Sequence, residues 1–296
     1  MLAIGFVGRR LKFLTADGIE CIKFIVMKII LPVAVFHALG TTVYRAQTAI
    51  VIAVMLAAIL ISFLLGYLLR PIIKEPYRKY LPFAISLYEG GLMVYPLYTN
   101  LAGSENLSYV AVLDIACLLF GFGIYMGILR QTESGEKIRV KSVVLSAVKN
   151  PTFIATVAGV TFGATGLLNM LISSPVGGVY GAVQQIITVA LSPLVLIIVG
   201  YHFKPDKKLI APCLVTIAVR VALQAVLITA VIFTLHAVTQ PDRLLDFAVI
   251  LFMSAPTSFS TQSFLKTEEG GGYVATTNSL YCIITIIVYI VLACLM

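Results

Sequence analysis

Charge is scarce in this chain of 296 residues: 11% are Asp, Glu, Lys or Arg, while 60% are hydrophobic. Soluble chains carry about 25% charged residues. That shortage, with a mean hydropathy of +1.02, excludes a soluble domain and places the chain among polytopic membrane proteins. Histidine is also scarce. His37, His202 and His236 lie far apart, near the ends of apolar runs, where they read as interface residues. Cys21, Cys117, Cys213, Cys282 and Cys294 fall mostly inside apolar runs, with no C-x-x-C or zinc spacing. They read as small buried hydrophobes, and the two residue types together argue against a metalloenzyme. No G-x-x-x-x-G-K-[ST] run occurs, which argues against drive by ATP. No cofactor is expected.

What the chain has is a succession of apolar runs. Met1–Leu14 begins apolar and turns basic at Arg9, Arg10 and Lys12, the reverse of a signal peptide. It falls short of the roughly 20 residues a spanning helix needs, so either the first helix is stunted or the true start lies upstream. Thr15-Ala16-Asp17-Gly18 offers helix-capping chemistry ahead of a second span, Ile19–Leu39, with Pro32 inside it. Thr48–Leu69, Pro82–Leu101 and Leu107–Leu129 follow. After a polar connection come Pro151–Leu171, Gly178–Phe203, Leu209–Val238, Leu244–Leu265 and Tyr273–Met296.

The formal charge of +8 is scattered through the short loops between these runs, so it is a topology signal and not a nucleic-acid footprint. The loops after odd-numbered spans hold sixteen Lys and Arg, those after even-numbered spans two. This bias puts both termini outside. Five spans on each side of the central connection then enter the membrane in opposite directions. The predicted fold is an all-α polytopic membrane protein of ten transmembrane helices, built as two inverted five-helix repeats. Residues 1–130 form the first repeat, 131–150 a cytoplasmic connecting loop and 151–296 the second repeat.

Leu81–Leu101, LPFAISLYEGGLMVYPLYTNL, is unlike an ordinary spanning helix. It places Glu89 at its middle, followed by Gly90 and Gly91, with Pro96 two turns on. A carboxylate at mid-membrane depth costs several kcal/mol unless it faces a cavity or a partner. Glycine and proline loosen and break the helix there. Broken backbone in a membrane is tolerated only where protein or water satisfies it. Span nine carries a matching interruption, Ser254-Ala255-Pro256-Thr257-Ser258, and Pro32 in IILPVAV is matched by Pro193 in ALSPLVL. Paired interruptions in two halves point to a transporter binding site, so helices four and nine read as broken helices at that site.

The candidate site residues follow. Glu89 reads as a protonatable coupling group, against the plainer reading of a carboxyl bonded to freed amides. Asp114, in YVAVLDIACLLF, either takes part in coupling or caps helix four from a neighbouring helix. Arg220 is the one arginine deep in a span; it would meet an anionic substrate or, more in keeping with buried charge, pair with Glu89 or Asp114. Pro256, Thr257, Ser258 and Ser260 offer hydroxyls and freed backbone, and half-helix N-termini favour anions. Tyr88, Gly90, Gly91 and Pro96 complete the set. Lys23 and Lys28 read as snorkelling side chains.

The ordered set of segments resembles the auxin efflux carrier-like transporters, a family that includes bacterial malonate and malate carriers, over nearly the whole chain. GRRLKFLTADGIECIKFIVMKIILPVAVFHAL looks like the family's first basic loop and second helix. VVLSAVKNPTFIATVAGV resembles its entry to the second half, and Arg220 through MSAPTSFS to the end is similar to its last three helices. The resemblance implies a five-plus-five inverted fold, with helices four and nine crossing at a central site, and transport of organic anions. Where the family usually has a proline-asparagine pair, this chain has Tyr88-Glu89, while VYPL at Val94–Leu97 matches the later proline turn.

The expectation is a secondary active carrier of a small organic anion in the plasma membrane. Its partners would be the substrate, the lipid bilayer and a coupling ion, either proton or sodium; a homodimer is compatible with it, and no nucleic acid is expected. A channel or uniporter-like permease is the alternative. An aspartyl intramembrane protease would need two facing acids; Glu89 and Asp114 are available, but no glycine-x-glycine-aspartate run accompanies Asp114.

Overall fold

Helix starts are set by local chemistry. Thr15 accepts a hydrogen bond from the Gly18 amide and opens the helix that follows. Asn150 accepts from Thr152 and Phe153 ahead of Pro151, and Asp242 from Leu244 and Leu245. In each case a short polar side chain takes up amides that have no partner one turn back. The computed structural model describes residues 1–134, 145, 148–202, 207–259, 261, 265 and 268–296. Ser260 and most of the 131–150 connection lie outside the described residues. Among the described residues the protein is 85% helix with no strand.

The helices are α1 (Leu2–Arg10), α2 (Ala16–Ile25), α3 (Leu31–Gly40), α4 (Ala46–Leu68), α5 (Leu81–Ser86), α6 (Tyr95–Ala102), α7 (Leu107–Phe120) and α8 (Met126–Ser134). They continue with α9 (Pro151–Ala164), α10 (Leu167–Ile172), α11 (Gly177–Thr188), α12 (Leu191–His202), α13 (Ile210–Val238), α14 (Arg243–Met253) and α15 (Glu268–Leu295). Among the described residues four helices are long and apolar enough to cross a membrane: Ala46–Leu68, Gly177–Tyr201, Ile210–Val238 and Glu269–Leu295. π-helical turns at Val26–Ile30 and Gly90–Val94 precede Pro32 and Pro96, and a third lies at Gly121–Tyr125. Proline's ring crowds the preceding turn, and the wider turn lets the Leu31 amide reach the Val26 carbonyl, five residues back.

Burial is inverted relative to a soluble protein. Arg220 is 1% exposed, and Ser62, Glu89, Asp114, Gln224 and Thr285 are buried, whereas Phe233 is 76% exposed and Leu64, Leu68 and Ile186 are also exposed. Apolar surface of that extent suits hydrocarbon, with polar groups kept inside. Lys28 is exposed and Lys23 pairs with Glu20 at 3.3 Å. Cys117, Cys213 and Cys282 are buried, but Cys21 and Cys294 are exposed on their helices, which corrects the expectation of burial for those two. Small thiols cost little against lipid.

The chain forms two compact units. The first comprises Met1–Ala49, Gly91–Val112 and Ser146–Phe203. Within it α1 packs on α12 and α3 on α9. At Gly5 the approach is so close that a Cβ would lie 2.1 Å from the Ile197 carbonyl oxygen, and Arg9 Nη1 donates to the Tyr201 carbonyl at 2.7 Å. His37 Nδ1 and the Tyr180 hydroxyl lie 3.1 Å apart, and the Ser192 hydroxyl donates to the Pro96 carbonyl at 3.3 Å.

The second unit comprises Ile50–Gly90, Leu113–Leu145 and Lys204–Met296. Here α13 packs against α5, α14 and α15. Phe63 lies edge-on to Phe83 and Phe120 at ring distances of 5.6 and 5.3 Å. Tyr77 stacks on Tyr273 at 4.5 Å, and Tyr80 donates to Glu133, which also pairs with Lys79 at 3.2 Å. His236 meets the Asp246 carboxylate at 2.9 Å.

Candidate functional site: two chain breaks

Helix α5 ends at Ser86, and Leu87 is extended (φ −116°, ψ 152°). A helix that stops inside a membrane protein leaves its last carbonyls without intrahelical partners, and each needs a donor from elsewhere. The second unit supplies them from several helices. Tyr125 and Thr257 hydroxyls donate to the Phe83 carbonyl at 2.9 and 3.0 Å. The Ser62 hydroxyl and the Gln224 amide donate to Ile85, each at 2.9 Å. Arg220 donates to Ala84 through Nη1 and to Leu87, at 3.1 Å, through Nη2. The Tyr88 hydroxyl donates to Gln224 Oε1 at 2.8 Å.

The second break is treated in the same way. Helix α14 ends at Met253, and the carbonyls of the next four residues all accept. Thr285 donates to Ser254 at 2.7 Å, Arg220 Nη2 to Ala255 at 2.6 Å, the Glu89 amide to Pro256 at 2.8 Å and Asn278 to Thr257 at 3.0 Å. In return, the Phe259 amide donates to Glu89 Oε2 at 2.6 Å. The two interruptions therefore lie against each other, joined by a backbone bond and a carboxylate bond at Glu89 and by the guanidinium of Arg220.

Asp114 faces the other side of the first break. A Cβ built on Gly90 would lie 2.9, 3.0 and 3.1 Å from Asp114 Oδ1, Cγ and Oδ2. The carboxylate thus packs closely against Gly90 within the second unit. Tyr88, Glu89, Gly90, Pro256 and Thr257 are buried, and Gly91, Ser258 and Phe259 are partly exposed.

The structure brings together, in the second unit, Tyr88, Glu89, Gly90, Asp114, Arg220, Pro256, Thr257 and Ser258. Gly91 and Pro96 belong to the first unit. For Arg220 the sequence offered an anionic substrate or a pairing with Glu89 or Asp114; its described hydrogen bonds go to three backbone carbonyls. Two helix C-termini offer it partial negative charge, and no sequence pattern announces a carbonyl as a partner. Sequence reasoning also missed Ser62, Tyr125, Gln224, Asn278 and Thr285. Gln224 was within reach of it: four residues after Arg220, it shares that face of the helix.

Broken helices, inverted burial and a buried charged cluster define an integral membrane transport protein. The family model described as a membrane transport protein, the auxin efflux carrier family, matches residues 1–296, and the chain belongs to this family. Its members are transporters, not typical enzymes. No curated protein matches the chain.

Proposed function

We propose that the protein is a secondary active carrier of small organic anions in the plasma membrane, working by alternating access at a site built on the two chain breaks. In this reading ten spans form two inverted repeats, 1–130 and 151–296, joined by a cytoplasmic 131–150 connection, with both termini outside. Tyr88, Glu89, Gly90, Gly91 and Pro96 supply one broken helix, and Pro256, Thr257 and Ser258 the other. Asp114 and Arg220 flank them.

The observation that carries the reading is the reciprocal bonding of Glu89 with Pro256 and Phe259. It makes one residue, through its amide and its ionisable carboxylate, the clasp between the two chain breaks. A carboxylate accepting from an amide makes a charge-assisted bond, roughly twice as strong as a neutral one. Taking up a proton would weaken the clasp, and releasing it would restore the clasp. Proton binding and the relative position of the breaks would thereby be linked through the same atom. The anion preference is supported by membership of the auxin efflux carrier family.

Reconstitution tests this. Purified protein in liposomes, given a panel of radiolabelled weak organic acids with and without a pH gradient, should show saturable uptake and counter-transport of at least one of them. Flux that rises linearly with concentration and shows no counter-transport would instead mean a channel.

A further inference from the structure

The surroundings of Arg220 are those of a cation site. Three carbonyl oxygens, of Ala84, Leu87 and Ala255, converge on its two terminal nitrogens. They come from the ends of α5 and α14, where partial negative charge from both helices accumulates. Two aromatic faces close the shell: the guanidinium carbon lies 4.6 Å from the Tyr281 ring centre and 5.6 Å from that of Tyr88. Ring faces and carbonyls are general cation ligands and do not select a guanidinium. The Nε–H has no acceptor among the described residues. In secondary transporters, unwound carbonyls and half-helix C-termini are the groups that coordinate sodium.

We propose that Arg220 is a built-in counter-cation for the two breaks, occupying the place where a transporter of this build would otherwise bind sodium. The cycle then needs no alkali cation at this point. The inference rests on the carrier reading only in naming sodium as the displaced ion. Its test uses no transported substrate, so failure of the transport assay would leave it standing. It also separates the charge of Arg220 from its bulk. Loss of the side chain should leave an electronegative cavity that small cations fill.

The experiment is thermal unfolding of the purified protein in detergent, followed with a thiol-reactive dye that reports exposure of Cys117, Cys213 and Cys282. Arg220→Ala should melt several degrees below the wild type. Methylguanidinium at millimolar concentration should restore part of the loss saturably, and N-methylurea, of the same shape but neutral, should restore none. The wild type, its place already filled, should respond to neither. Equal effects of the two compounds on Arg220→Ala, no effect of either, or equal stabilisation of the wild type would each overturn the proposal. If Arg220→Ala does not fold, Arg220→Lys and Arg220→Gln decide. Lysine keeps the charge and should melt above glutamine; the reverse order would refute the role of charge.

Discussion

Gly90→Ala is a one-methyl perturbation with a calculable effect. The added Cβ would meet three atoms of the Asp114 carboxylate at 2.9–3.1 Å. Aspartate has a short side chain, and Asp114 sits in the middle of α7 and is itself buried. It cannot retreat without moving away from Gly90. Overpacking of this kind costs about 1–3 kcal/mol, and loosening a buried charged group from its partners adds a similar amount. A loss of about 2–6 kcal/mol is therefore expected by equilibrium unfolding in detergent. Gly181 and Gly271 provide controls, since a Cβ there meets nothing within 4 Å. Alanine at either helical position should stabilise, by up to about 1 kcal/mol. Asp114→Ala in the Gly90→Ala background removes the clash, so the double variant should lose less than the sum of the singles. Strict additivity, or a Gly90→Ala protein as stable as the wild type, would refute the contact between carboxylate and glycine.

The carbonyls of the breaks make a graded prediction. Ser254 accepts from Thr285, whereas Phe83 accepts from both Tyr125 and Thr257. Thr285→Val should cost about 1–3 kcal/mol, the cost of a stranded buried acceptor, and Thr257→Val less, since Tyr125 still serves Phe83; the opposite ranking on denaturation would contradict this assignment of donors. At Lys79 burial works against the charge, but bonds to Tyr80 and Glu133 prevail and hold its pKa above the usual 10.5. A raised folded-state value gives stability that is complete below the unfolded pKa and lost only as pH rises through the folded one. Glu133→Gln should therefore cost the same, up to about 1 kcal/mol, at every pH from about 6 to 9; a deficit that varies across that range would count against the pair. Topology is checked by labelling: a cysteine at Glu133 should be shielded from impermeant reagent in intact cells and one at Ser173 or Ser174 labelled, and reversed labelling would invert the orientation.

Much of the helical outline is legible in the sequence because its signals are local. Thr15, Asn150 and Asp242 cap the helices they precede, and the Glu89-Gly90-Gly91 and Pro256-Thr257-Ser258 interruptions mark where α5 and α14 stop. The division into two units is less legible. Each draws on segments from both sides of the central connection, and such pairings depend on contacts distant in sequence. The site is legible through its unusual residues, an acid and an arginine in apolar runs, but not through what they bind. Arg220 answers carbonyls, which every residue carries. Ser62, Tyr125 and Thr285 are donors of types common in any membrane helix. Only the places where α5 and α14 end reveal which of them are needed.

Proton coupling through the Glu89 clasp is tested most directly by comparing wild-type and Glu89→Gln protein in liposomes, normalised to reconstituted protein. A pH gradient of about one unit is worth about 1.4 kcal/mol, or roughly tenfold accumulation, per proton coupled. Glutamine keeps the shape and can still accept from the Phe259 amide, but it cannot take up the proton. Wild-type protein should concentrate its substrate toward that limit. Glu89→Gln should lose accumulation while keeping exchange of pre-loaded substrate, since exchange need not return an empty, deprotonated carrier. Accumulation by Glu89→Gln equal to that of the wild type would contradict a coupling role for this carboxylate.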